Sequence, residues 1–221
     1  TWRTQENQSA PKVQYGATNA YGSETSGTSQ PAVVDGYFYH TVEIVGLTAG
    51  TTYHYRVSGE AGTWSEDLTF RTAPSGPADF TFTAFADNGI PANARPFSDT
   101  AKDLVFAQNP VLHLIAGDLT YADGDSCSGS SCIKEHWEQW FTDIARFTKT
   151  VPTMPAIGNH ERAGDVKFSS GELFYTRSFA LPTDHNEEYY SFDYGDVHFT
   201  IINSDDYSSL RPGRWNILFS L

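Results

Sequence analysis

A chain of 221 residues with 39% hydrophobic and 14% aromatic residues holds enough apolar material for one large domain or two modest ones, each with its own core. Its formal charge is −13, from 27 acidic residues dispersed among 14 basic ones, which argues against a general affinity for nucleic acid or for an anionic membrane. No apolar stretch is long enough to cross a bilayer, and any attraction for an anionic ligand would need a local cation.

The first residue is Thr1 rather than Met, as in a processed chain or a fragment. Residues 1–73 read as short strands between turns, with no helical period. Strands are expected at residues 11–15, 37–45, 52–57 and 68–72, separated by Gly/Ser/Thr-rich spacers such as residues 22–29, and that spacing suits a β-sandwich. Tyr53 follows a turn at the start of a strand, the setting of a tyrosine corner. Together with Trp2 it resembles the fibronectin type III pattern. That family has a further strand before Trp2, so the domain is expected to be clipped at its N-terminus, with an exposed edge. His40 and His54 alternate with aromatic residues and are expected to face solvent. The sequon Asn7-Gln8-Ser9 is compatible with secretion.

Ala73-Pro74-Ser75-Gly76-Pro77 has the composition of a linker, giving a division into residues 1–73, a linker at 74–78, and residues 79–221. Beyond it the pattern changes. A strand over 80–86 leads to a helix over 97–108 capped by Ser98 or Asp99, then to an apolar strand over 111–116 that stops at Gly117-Asp118. A second helix follows over 133–147, with Ile133, Trp137, Trp140, Phe141, Ile144 and Phe147 as a core-facing stripe. The strand over 151–157 completes a β-α-β-α-β order, which predicts three parallel neighbours joined by right-handed crossovers. Residues 189–194 and 196–202, joined by Gly195, read as a hairpin continuing that sheet, with His198 structural. The last eleven residues, 211–221, carry a faint helical signal. The only cysteines, Cys127 and Cys132, lie five positions apart without zinc or redox spacing. They form either a disulfide, which implies an oxidising and hence secreted or extracytoplasmic setting, or two free thiols.

Three strands thus end beside a glycine in oxygen- or nitrogen-bearing side chains: Asp87-Asn88-Gly89, Gly117-Asp118, and Gly158-Asn159-His160-Glu161. In open α/β sheets ligands sit at that end of the strands. Asp87, Asp118, Tyr121, Asn159 and His160 are hard donors plus one imidazole, a set suited to a hard cation, and a Tyr121 phenolate would favour a ferric ion. Carboxylates from adjacent strands can bridge two ions about 3.5–4 Å apart, an arrangement recurrent in phosphate ester hydrolysis.

These motifs resemble the first three of five metal-site blocks of the metallophosphoesterases. Tyr121 within Gly117-Asp118-Leu119-Thr120-Tyr121, preceded by a fibronectin-type domain, is similar to the purple acid phosphatase pattern, as is the hairpin over 190–199. The resemblance implies a fibronectin type III-like β-sandwich followed by an α/β metallophosphoesterase sandwich domain, incomplete at its C-terminus. It implies that Asp118 bridges two metals, that Asp87 and Tyr121 bind ferric iron, and that Asn159 binds a divalent ion, iron, zinc or manganese. His160 would contact phosphate and protonate the leaving group. The family's remaining blocks, Val-x-x-His and Gly-His-x-His, do not occur. The expectation is a secreted acid phosphatase acting on phosphate monoesters in its full-length form, and an inactive or poorly active piece in these 221 residues. No nucleic-acid or membrane partner is expected, and the oligomeric state is open. The alternatives are a phosphodiesterase or nucleotide pyrophosphatase on the same scaffold, or a catalytically dead extracellular binding module presenting Trp2, Tyr37 and Trp64.

Overall fold

The computed structural model describes residues 1–31, 36–88, 95–122, 130–163, 174–182, 188–203 and 217–220. The chain divides into two units, Thr1–Pro77 and Ala78–Leu221.

The first unit is all β: β1 (Trp2–Thr4), β2 (Lys12–Gly16), β3 (Ser23–Ser26), β4 (Thr28–Gln30), β5 (Phe38–Thr41), β6 (Thr52–Val57) and β7 (Leu68–Arg71). They form two antiparallel sheets, β1-β5-β4 and β3-β2-β6-β7. The Trp2 indole N–H donates to the Ser58 carbonyl at 2.9 Å, tying β1 to the end of β6 in the other sheet. The Tyr53 hydroxyl accepts the Thr48 N–H at 3.0 Å, five residues upstream, as a tyrosine corner requires.

Two expectations fail in this unit. The supposed spacer over 22–29 carries β3 and β4. Both lie at sheet edges and their small polar residues are mostly exposed, so no hydrophobic alternation marks them. Between them the chain switches sheets at Gly27, where a Cβ would overlap the Thr41 carbonyl. His40, expected in solvent, is fully buried. Its Nε2 lies 2.7 Å from Thr4 Oγ1, and that hydroxyl donates its one proton to the Glu6 carbonyl at 2.7 Å, so Nε2 is the donor to Thr4. His54 remains partly exposed and pairs with Asp67 at 2.8 Å.

The second unit begins with β8 (Phe82–Phe85), α1 (Arg95–Phe106), β9 (Leu112–Ile115), α2 (Ser130–Thr148) and β10 (Thr153–Pro155). The strands are parallel in the order β10-β9-β8, as the β-α-β-α-β pattern predicts. The central strand β9 is buried along its whole length, which explains a run that is apolar but for the buried His113. On α2, Trp137, Trp140 and Ile144 are buried, and Trp137 packs on Phe174 with ring centroids 4.8 Å apart. α1 starts two residues earlier than expected, with Pro96 in its first turn, where a missing N–H costs nothing. Ser98 and Asp99 therefore lie within the helix rather than before it.

Two short helices follow, α3 (Asn159–Ala163) and α4 (Phe174–Ser178), and then β11 (Tyr190–Tyr194), β12 (Val197–Ile201) and β13 (Ile217–Ser220). The hairpin does not continue the parallel sheet. β11-β12-β13 is a separate antiparallel sheet, and β13 replaces the faint helix expected near the end. Along β11, Tyr190 and Tyr194 are buried while Ser191 and Asp193 are exposed. A one-sided strand of this kind packs by its face. Phe199 meets Phe82 edge-on at 5.5 Å, Tyr190 and Ile201 form a core with Ala156, and the Tyr190 hydroxyl donates to the Pro155 carbonyl at 2.8 Å. On the outer face His198 pairs with Asp193 at 2.6 Å.

Candidate metal centre

The site grows from the exits of the three parallel strands. Beyond β8 the chain turns sharply at Asp87, φ 53°, and the Asp87 and Asn88 amides donate to the carbonyls of Gly117 and Asp118 at 3.2 and 3.1 Å. Beyond β9 it turns at Gly117 (φ 91°) and Asp118 (φ 54°), and Tyr121 is also left-handed, φ 49°. Non-glycine residues rarely adopt this region, and each costs of order 1–3 kcal/mol. Beyond β10, Gly158 lies so close to Asp118 that an added Cβ would overlap both the Asp118 carboxylate and its amide.

The turns bring side chains together. The Tyr121 hydroxyl donates to Asp87 Oδ1 at 2.7 Å and lies 3.4 Å from Asp118 Oδ2. Asp118 Oδ1 accepts the His160 backbone N–H at 3.3 Å, and the His160 ring lies against Tyr121 with centroids 4.0 Å apart. Asn159 is exposed at the start of α3, between the glycine that abuts Asp118 and the histidine that contacts it. Gly89 of the first motif and Cys127 lie outside the described residues.

Electrostatics in this cluster is set by burial and by the neighbouring carboxylates. Burial raises the Asp118 carboxyl above the ordinary range, opposed by the His160 N–H and charge. Burial and the flanking carboxylates hold the proton on Tyr121 far above the usual phenol range. A positive ion among these oxygens would reverse both signs. Asp87, Asp118 and Tyr121 thus fit one flank of a metal centre as a hard-oxygen set. Among the described residues no group of three or more His, Cys, Asp or Glu side chains gathers around one point. His136, on α2, reaches the same loop but lies 3.1 Å from the Thr120 carbonyl, to which its Nδ1–H donates.

The residue that sequence reasoning missed is Glu161. It stands last in Gly158-Asn159-His160-Glu161 and is 1% exposed. Its Oε2 accepts the amides of Asp118 and Gly158, both at 3.0 Å, and its Oε1 that of Leu119 at 2.7 Å. Burial pushes its carboxyl up to about 7 against the pull of those amides. A charged residue three positions after a turn glycine was the available signal, but its partners lie some forty residues away.

Residues 80–218 match the calcineurin-like phosphoesterases. Residues 1–72 match the purple acid phosphatase N-terminal domain, and the chain belongs to the purple acid phosphatase family, whose members imply a dinuclear metal centre. Purple acid phosphatase 23 of Arabidopsis thaliana is 32% identical over 75% of this chain and 40% of its own length. Purple acid phosphatase 13 of the same plant is 25% identical over 86% of this chain and 38% of its own. An uncharacterized protein of Mycobacterium tuberculosis is 29% identical over 93% of this chain and 42% of its own. The chain therefore spans about two fifths of the length of these relatives.

Proposed function

We propose that this chain contributes the first part of a phosphomonoesterase site in a secreted protein, built on ferric iron and a divalent iron, zinc or manganese ion. The observation that carries the reading is the convergence of Asp87, Asp118 and Tyr121 through one hydroxyl. Asp118 would bridge the two ions. Asp87 and Tyr121 would hold the ferric ion, and Asn159 the divalent one. When bound, the pair supplies a nucleophile generated from water at ordinary pH and neutralises the ester oxygens. His160, half-buried beside Tyr121, would bind a phosphate oxygen and donate a proton to the departing alkoxide.

For these 221 residues by themselves the reading includes low activity, since among the described residues the side chains that meet are those of Asp87, Asp118 and Tyr121. Secretion is supported by a disulfide-bonded Cys132, since such bonds persist in oxidising compartments. The rival reading is a binding module presenting Trp2, Tyr37 and Trp64, half-buried residues that also make contacts within the unit. Trp2 donates to Ser58, Tyr37 lies under the Arg3 guanidinium, and Trp64 lies under that of Arg56.

The test is elemental analysis and visible spectroscopy of this chain and of a version extended beyond Leu221, with hydrolysis of a phosphate monoester and a diester assayed side by side. Iron uptake with a visible band that is lost in Tyr121→Phe, and faster turnover of the monoester, is the expected result. Faster diester turnover would move the assignment to a phosphodiesterase. Absence of iron, zinc and manganese from both proteins would refute the metal centre.

A further inference from the structure

We infer that Glu161 is a positioning residue for the metal-bridging carboxylate, an inference that rests on the metal-centre reading above. Its carboxylate joins the loops after β9 and β10 through their main-chain amides. Asp118 and Leu119 donate from the first loop and Gly158 from the second. Converging main-chain N–H groups of this kind ordinarily make an anion site. Here the chain fills it with its own side chain.

The geometry shows what the clasp does for Asp118. The Asp118 amide faces Glu161, while its carboxylate oxygens face the His160 amide and the Tyr121 hydroxyl. With the amide pinned at a left-handed φ of 54°, the carboxylate is held toward the other donors. The same clasp draws Gly158 against Asp118, at a separation that leaves no room for a Cβ, and so sets Asn159 and His160 beside the carboxylate. Glu161 itself touches neither metal nor substrate. Its task is to hold Asp118 and Asn159, delivered by different strands, at the separation a shared divalent ion needs.

Glutamine cannot do this. One of its two terminal atoms is an NH2, which would confront amides that themselves donate. Aspartate keeps both acceptor oxygens but reaches one methylene less far. Groups that orient metal ligands without binding the ion typically change affinity by roughly 10–100-fold when altered. In the full-length protein loaded with Fe(III), Glu161→Gln should weaken Zn(II) binding at least tenfold, while the Tyr121-dependent visible band persists. Glu161→Asp should recover part of that loss.

The readouts are Zn(II) titration, the visible spectrum, and amide hydrogen exchange at Asp118, Leu119 and Gly158 in the metal-free protein. Faster exchange at these amides together with weaker Zn(II) binding in Glu161→Gln supports the inference. Equal Zn(II) affinity in wild type and both variants overturns it. If Glu161→Gln does not fold, Glu161→Asp decides, since unchanged Zn(II) affinity with slowed or unchanged exchange would equally overturn it. Wild-type protein that binds neither metal removes the metal-centre reading, and the inference with it.

Discussion

Acid acts on two fully buried groups of the second unit in opposite senses, and the difference is measurable. Burial lifts the Glu161 carboxyl from 4.5 to about 7. It also depresses the His113 imidazole from 6.5 to about 4, only partly offset by its contact with Thr83. At about 1.4 kcal/mol per pH unit, either displacement is worth about 3 kcal/mol at most. Between pH 4.5 and 7 the folded state holds a proton on Glu161 that the unfolded state has released. That stabilisation is full below 4.5 and is lost as pH rises through 7. Between pH 4 and 6.5 the unfolded state holds a proton that folded His113 refuses, so this contribution is full above 6.5 and is lost as pH falls through 4. The two slopes cancel over the shared range. Glu161→Gln should therefore unmask a stability that climbs by about 3 kcal/mol from pH 4 to 6.5, and His113→Gln one that falls by about 3 kcal/mol from pH 4.5 to 7. Urea unfolding of metal-free protein at a series of pH values, followed by tryptophan fluorescence, gives the three curves. Asp118, raised in the same direction as Glu161, contributes to all of them, so the comparison between proteins carries the result. Three parallel curves would refute the reasoning.

Gly158→Ala places a methyl group on the Asp118 carboxylate and amide, and the amide cannot move without breaking the Glu161 clasp. A loss of about 1–3 kcal/mol is expected, together with weaker metal uptake, and wild-type thermal stability would contradict the packing argument. In the first unit, Thr4→Val strands a buried His40 N–H that now has one acceptor. The cost should be about 1–3 kcal/mol, read as a lower unfolding midpoint for that unit, and a neutral substitution would show that His40 adopts its other tautomer.

What could be read from the sequence depended on how local the signal was. β9 was legible because a strand buried on both faces is mostly apolar, here with His113 as its one polar member, and the stripe on α2 because a helix buries one face at a fixed period. β3 and β4 were not legible. Their ladders run to β2 and β5, but their polar side chains bury little, and backbone pairing leaves no mark on composition. The alternation around His40 was real and its sense was misjudged, since a buried imidazole needs only one hydroxyl, and Thr4 lies thirty-six residues away. The hairpin 190–201 announced a one-faced sheet but not which surface it would cover. The carboxylates and tyrosine of the site were visible as residues at strand ends. The buried acid that clasps those ends was not, because its partners come from a loop that only the folded chain brings near.

The three residues whose side chains converge are also three of the six non-glycine residues with left-handed backbone among those described. At about 1–3 kcal/mol each, that conformation costs more than the hydrogen bonds between the side chains return, since a typical one contributes about 0.5–1.5 kcal/mol. The side-chain contacts therefore do not hold the turns in place. The main chain does, through Asp87 N–H to Gly117, Asn88 N–H to Asp118 and the amides gathered by Glu161. The turns follow from the scaffold, and the convergence of Asp87, Asp118 and Tyr121 follows from the turns. Substitutions at those three positions should accordingly remove a donor while leaving the loop where it is, whereas a change at Gly158 or Glu161 shifts Asp118 and Asn159 relative to each other.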